Sequence, residues 1–119
     1  MKALLCTRYG TPDDLELADL PNPIAQPGEV VVRVEAAGLN FFDLLIISGK
    51  YQFKPEFPFS PSAEFSGVVE GLGAGVTDFA PGDRVFGAAL SRSVADFVVV
   101  DAAGETAANE VHHTPGGVD

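Results

Sequence analysis

The sequence has one cysteine, one methionine, no tryptophan and two histidines among its 119 residues, and each shortage closes a class of explanation. A single thiol, Cys6, cannot form an intramolecular disulfide, and its place in an apolar run reads as a buried thiol in a reducing compartment. Cysteine zinc sites are excluded, and the adjacent His112 and His113, with no third ligand at a known spacing, do not make a metal site. Positive charge is scarce as well: 7 Lys and Arg stand against 17 Asp and Glu, for a net charge of −10. The imbalance grows along the chain, with five basic and eight acidic residues up to position 60 and two against nine beyond it. Nucleic acid and anionic membranes are poor partners for such a surface. No apolar stretch approaches the roughly 18 residues of a membrane span, and MKALLCTRYG turns polar too quickly for a signal peptide, so a soluble cytoplasmic protein is expected.

What the chain does have is 46% hydrophobic residues, 13 glycines and 9 prolines in 12.4 kDa, the profile of one turn-rich domain rather than a helical bundle or a disordered acidic tail. Lys2 to Cys6 reads as a first strand, closed by the Gly10-Thr11-Pro12-Asp13-Asp14 turn; Leu15, Leu17 and Leu20 mark a second strand able to pair with it. Pro21, Pro23, Pro27 and Gly28 make an irregular connector before Glu29 to Ala37, the strongest strand pattern. From Asn40 the spacing of Phe41, Leu44, Leu45 and Ser48 predicts a short helix capped by Asn40 and ended by Gly49. Residues 50–63, with four aromatics and three prolines, predict an ordered loop. Strands follow at Phe65–Glu70, Arg84–Phe86 and Ala95–Val100, separated by Gly71, Gly73, Gly75 and the Pro81-Gly82-Asp83 turn. Glu105 to His113 is expected to form a weak helix, stopped by Pro115-Gly116-Gly117, in a tail that frays or has been altered. Short strands, one or two brief helices and frequent turns point to a mainly β fold, a small, partly open β-barrel.

Chemistry concentrates in AAGLNFFDLLIISGKY, residues 36–51, where Asn40 and Asp43 share one face at the mouth of the predicted helix. Helix capping alone explains both: Asn40 as N-cap, Asp43 on first-turn amides. The functional alternative gives Asn40 the donor and acceptor for a planar polar ligand, with Tyr51 closing the pocket by stacking or hydrogen bonding. The aromatics Tyr51, Phe53, Phe57, Phe59 and Phe65 pin the loop or form a recognition surface. GLGAG, residues 71–75, lacks the full Gly-x-Gly-x-x-Gly spacing and is not followed by an apolar helix, so it reads as a strand-to-turn element.

These residues carry a resemblance. The opening MKALLCTRYG, then PNPIAQPGEVVVRVEAAGLNFFD, SGKY, PFSPSAEFSGVVEGLGAGVTDFAPGDRVFG and VADFVVV resemble the N-terminal GroES-like domain of the medium-chain dehydrogenase/reductase superfamily, in its zinc-independent quinone oxidoreductase branch. The resemblance covers about residues 1–101, and implies a GroES-like domain over 1–103 followed by a tail over 104–119. It further implies hydride transfer from NADPH to a quinone or an activated alkene such as an enone. The positions matching the zinc ligands of alcohol dehydrogenases are Asn40 and Ala63, so no catalytic metal is expected, although Glu64 keeps the matching acidic position. By the same resemblance Asn40 and Phe41 lie beside the nicotinamide, Asp43 supports the loop that carries Asn40, and Tyr51, Phe53 and Glu64 meet the substrate.

The chain departs from the family pattern in two places. Ser91-Arg92-Ser93 stands where the resemblance implies a glycine-rich stretch, and DAAGETAANEVHHTPGGVD where it implies a proline-rich run toward a second, Rossmann domain, which is not expected within these residues. The departures, at residues 88–93 and 104–117, are read as the marks of a truncated domain, natural or engineered. Two functions stay open. The chain is the substrate-side domain of a quinone reductase, silent alone and with little or no NADPH affinity, or it is a non-enzymatic scaffold, binding or self-associating module. Whether the isolated chain is an enzyme is therefore undecided by sequence, and a homodimer through the face left uncovered is a further expectation.

Overall fold

The computed structural model describes residues 1–89, 93–106 and 109–115. Its elements in chain order are strands β1 (Lys2–Leu5), β2 (Glu16–Asp19) and β3 (Glu29–Gly38), helix α1 (Phe41–Ile47), and strands β4 (Glu64–Leu72), β5 (Arg84–Ala89), β6 (Phe97–Asp101), β7 (Glu105–Thr106) and β8 (Asn109–His113). A 3-10 turn over Pro12–Asp14 occupies the expected bend before β2. β1 and β2 form an antiparallel hairpin in which Leu4 faces Leu17. The other six strands form one antiparallel sheet in the order β6-β3-β4-β5-β8-β7. The sheet curls so that β8 packs near β6, which gives the mainly β, partly open barrel that the turn spacing predicts.

The sheet forms because its strands offer β-branched residues at alternate positions, which pack well on a pleated surface. In β3, Val30 and Val32 are both fully buried, and they join Phe65, Val69, Phe79, Val85, Ala89, Val98, Val100 and Val111 in one apolar core. A smaller cluster of Cys6, Ile46, Ile47 and Phe59 seats α1 against the N-terminal hairpin. Cys6 is buried as expected, its Sγ 3.1 Å from the Arg8 carbonyl oxygen, and burial is the main influence that pushes the thiol above its usual range.

The predicted helix over Glu105 to His113 is not formed. The segment supplies β7 and β8, and β8 adds to the free edge of β5 with Gly87 opposite Val111. An open edge with unpaired backbone groups outweighs the weak helix preference of ETAANEVHH, and Val111 is buried in the core as a result. On a strand, His112 and His113 point to opposite faces. His113 stacks on Phe79 with ring centroids 4.5 Å apart and lies 3.2 Å from Asp83 Oδ2, while His112 sits beside Phe86. Of the two departures from the family pattern, residues 90–92, 107–108 and 116–119 lie outside the described residues.

Candidate functional site

The site grows from the junction where β3 ends and α1 begins. β3 stays extended through Gly38, and Asn40, with φ −134° and ψ 163°, is the N-cap of α1. The arrangement is a capping box, closed most firmly on its acidic side: the Asn40 backbone N–H donates to Asp43 Oδ2 at 2.9 Å. The Asn40 side chain faces the N3 amide without a cap hydrogen bond and is solvent-exposed. At the other end, Gly49 has φ +75°, and its N–H bonds the Ile46 carbonyl while Lys50 N–H bonds that of Leu45, a Schellman stop that glycine is suited to make.

Asp43 is only 7% exposed, and both of its oxygens are used. Besides the bond from Asn40, Oδ1 accepts the Ser62 backbone N–H at 2.9 Å, which ties α1 to the loop before β4. Ser62 is fully buried, and its hydroxyl donates to the Gly38 carbonyl at 2.6 Å while lying 3.2 Å from that of Glu64. Glu64 pairs with Gly38 across the β3–β4 ladder, and its side chain stands so close over Gly38 that a Cβ there would lie 2.9 Å from Oε2. One polar knot thus fixes the end of β3, the first turn of α1 and the start of β4.

An apolar cavity of about 570 Å³ opens beside this knot, lined by Leu4, Pro12, Leu15, Leu39, Phe41, Leu44, Ile47 and Pro61, with polar side chains contributed by Asn40 and Asp43. Leu39 and Phe41 are each 73% exposed at its mouth. The loop under it is held by Asp14, which accepts the Thr11 backbone N–H at 2.9 Å and pairs with Arg8 at 2.8 Å. The Thr11 hydrogen bond, then the Arg8 guanidinium, hold the Asp14 carboxyl below its usual range.

The predicted site residues fall into three groups. Asn40, Phe41 and Asp43 share this cavity. Phe53 lines a different one of about 660 Å³, between the hairpin, the loop over residues 53–60 and β6. Tyr51 packs edge-to-face on Phe42 at 4.6 Å, and Glu64 joins the site at the β3–β4 junction rather than as a lining residue of either cavity. Among the described residues no group of three or more His, Cys, Asp and Glu is placed to hold a metal. No helix among them is long and apolar enough to cross a membrane.

The alcohol dehydrogenase GroES-like domain matches residues 26–115. The chain belongs to that family. A rat (Rattus norvegicus) quinone oxidoreductase-like protein 2 is 42% identical over 100 residues, which cover 84% of this chain and 28% of the relative. A human synaptic vesicle membrane protein VAT-1 homolog-like structure superposes with a TM-score of 0.88 at 32% identity, covering all of this chain and 37% of the other. The Thermus thermophilus quinone oxidoreductase, solved alone and with NADPH, superposes at 0.77 with 38% identity over all of this chain and 34% of the other. The chain therefore spans between 28% and 37% of the length of these relatives. Within this GroES-like domain the sequence pattern points to Asn40 and Asp43 but gives no sign of Ser62. Only its φ of +80° and the bonds made by its hydroxyl and its amide reveal that role, because the local string Pro-Ser-Ala-Glu reads as ordinary loop.

Proposed function

We propose that this GroES-like domain forms the substrate-side wall of an NADPH-dependent oxidoreductase that reduces a quinone or an activated alkene. The observation that carries the proposal is the Asn40 carboxamide at the rim of an otherwise apolar cavity of about 570 Å³, a size that suits a small organic ligand. Asp43 has both oxygens engaged, so Asn40 is the polar side chain there with donor and acceptor to offer. The site suits the nicotinamide end of the cofactor: Leu39, Phe41 and Leu44 would offer apolar surface to its ring, and the Asn40 carboxamide would offer a donor and an acceptor to its amide. NADPH, when bound, supplies the hydride. Asn40 then orients the ring, Asp43 holds Asn40, and the apolar rim excludes water from the acceptor. The phosphates find no cradle among the described residues, since Gly71, Gly73 and Gly75 belong to the end of β4 and its turn rather than to a strand-to-helix loop.

Because these 119 residues offer one wall of a cleft, they are expected to bind NADPH weakly and to show no turnover by themselves. Titration with NADPH followed by isotope-edited NMR tests the reading. Saturable shifts at Asn40 and Asp43, lost in Asn40→Ala, are expected. A well-folded sample without shifts would overturn nicotinamide recognition and leave a scaffold or self-associating module, and steady-state reduction of a simple quinone would overturn the silence of the isolated chain. A size measurement in the same buffer reads whether the exposed Leu39 and Phe41 bring two copies together.

A further inference from the structure

Among the described residues Ser62 is the one non-glycine residue with positive φ, at +80°, a conformation that residues with a Cβ adopt only when their surroundings enforce it. It is also fully buried. Four polar contacts converge on it. Its N–H donates to Asp43 Oδ1 at 2.9 Å, its hydroxyl donates to the Gly38 carbonyl at 2.6 Å and lies 3.2 Å from that of Glu64, and its own carbonyl accepts the Ser93 N–H at 3.2 Å. The Asp43 carboxylate passes the constraint on, since its second oxygen receives the Asn40 N–H at 2.9 Å.

We propose that Ser62 is a positioning residue for Asn40, a role that rests on the reading in which Asn40 meets the nicotinamide. Asn40 follows Gly38 by two residues and precedes Asp43 by three, and Ser62 grips both flanks: the hydroxyl holds the end of β3, and the backbone N–H holds the carboxylate that anchors the first turn of α1. The left-handed turn is what aims the N–H at Asp43. A glycine would make that turn without strain, so the backbone conformation does not account for a serine there. The hydroxyl clamp on Gly38 does. Ser62 touches no reacting atom and acts through Gly38 and Asp43, which sets the rim on which the cofactor ring lies.

Two substitutions separate the clamp from the turn. Ser62→Gly relieves the backbone and removes the hydroxyl; Ser62→Ala keeps the strained turn and removes the hydroxyl. Amide hydrogen exchange of the ligand-free protein is expected to quicken at Asn40 about five- to tenfold in both variants, the equivalent of one lost hydrogen bond. The thermal midpoint is expected to fall in Ser62→Ala but to hold or rise in Ser62→Gly. A side chain that served stability alone would move exchange and midpoint together, so their separation in Ser62→Gly is the diagnostic result. Unchanged Asn40 exchange in Ser62→Gly would overturn the proposal, and that variant decides the matter even where Ser62→Ala does not fold. NADPH titration tests the site separately. If wild-type protein shows no response, the reading of the site falls while the exchange data still judge Ser62; if it responds, affinity should weaken by about the same five- to tenfold in both variants.

Discussion

The two buried regions of this domain are built from different materials. Inside the curled sheet the core is wholly apolar, with Val30, Val32, Phe65, Val69, Val85, Val98 and Val100 filling it from four strands. Around α1 and the loop that leads to β4 lie all four buried polar residues among those described, Asp43, Ser60, Ser62 and Ser93. Burial of valine is strong but has no direction; it holds the strands together without specifying where any one group points. A carboxylate that accepts two backbone N–H groups at 2.9 Å does specify it. The sheet therefore supplies stability and the junction supplies placement. The candidate ligand-facing residue Asn40 sits at the junction, on the side of the molecule where geometry is fixed by bonds rather than by packing.

Substitutions in each region should separate these roles. The largest effect is expected from Phe65→Ala, which empties a site that is 4% exposed in the sheet core. Truncation of a buried phenylalanine costs about 3–5 kcal/mol, or roughly 10–20 °C in the thermal midpoint for a domain of this size. The Asn40 and Asp43 amide resonances should nonetheless remain native-like in the folded fraction. Displacement of those resonances to the extent caused by a change at the junction would erase the distinction between the regions. Asp43→Ala should cost less stability, about 2–3 kcal/mol for two backbone donors left without their charged acceptor. It should disturb placement more, shifting the amides of both Asn40 and Ser62. Urea midpoints and amide spectra of the two variants, compared directly, show whether the ranking by stability is the reverse of the ranking by disturbance at Asn40.

The same division explains what could be read from the amino-acid sequence. Period-two valines announce β3, and an N-cap at Asn40 with a glycine stop at Gly49 announces α1, because each signal is local and depends on residues within a turn or two. β8 was legible only as a weak helix, since ETAANEVHH contains helix formers and Val111 is its one buried residue among those whose side chains are described, while the partner that makes it a strand lies twenty or more residues earlier in β5. Asn40 and Asp43 were visible as a capping pair, but the capping pattern alone could not show that both carboxylate oxygens are spent and that the Asn40 amide is not. Nor does a serine before Ala63 and Glu64 reveal a positive φ, because glycine is the residue that signals one. The separation of Phe53 from Asn40 into two cavities depends on the path of the loop over residues 50–63, which aromatic packing sets: Phe57 meets both Tyr9 and Phe59.

The smallest expected effect tests the junction where its logic lapses. Ser93 is as buried as Ser62, and its N–H reaches the Ser62 carbonyl, yet its hydroxyl oxygen has no hydrogen-bond partner among the described residues. Its backbone bond to Ser62 does not call for a hydroxyl. A buried hydroxyl without a partner carries a desolvation cost and returns nothing, so its removal should be neutral or favourable. Ser93→Ala is expected to change stability by no more than about 1 kcal/mol, in the stabilising direction if at all, with the Ser93 N–H bond and the Asn40 resonances intact. The contrast with Ser62 is the informative part. Both changes delete one buried hydroxyl a hydrogen bond apart along the backbone, but only Ser62→Ala removes a donor from the clamp on Gly38. Urea unfolding of the two alanine variants therefore weighs a working hydroxyl against an idle one, and a loss above about 1 kcal/mol in Ser93→Ala would mean that the junction uses both.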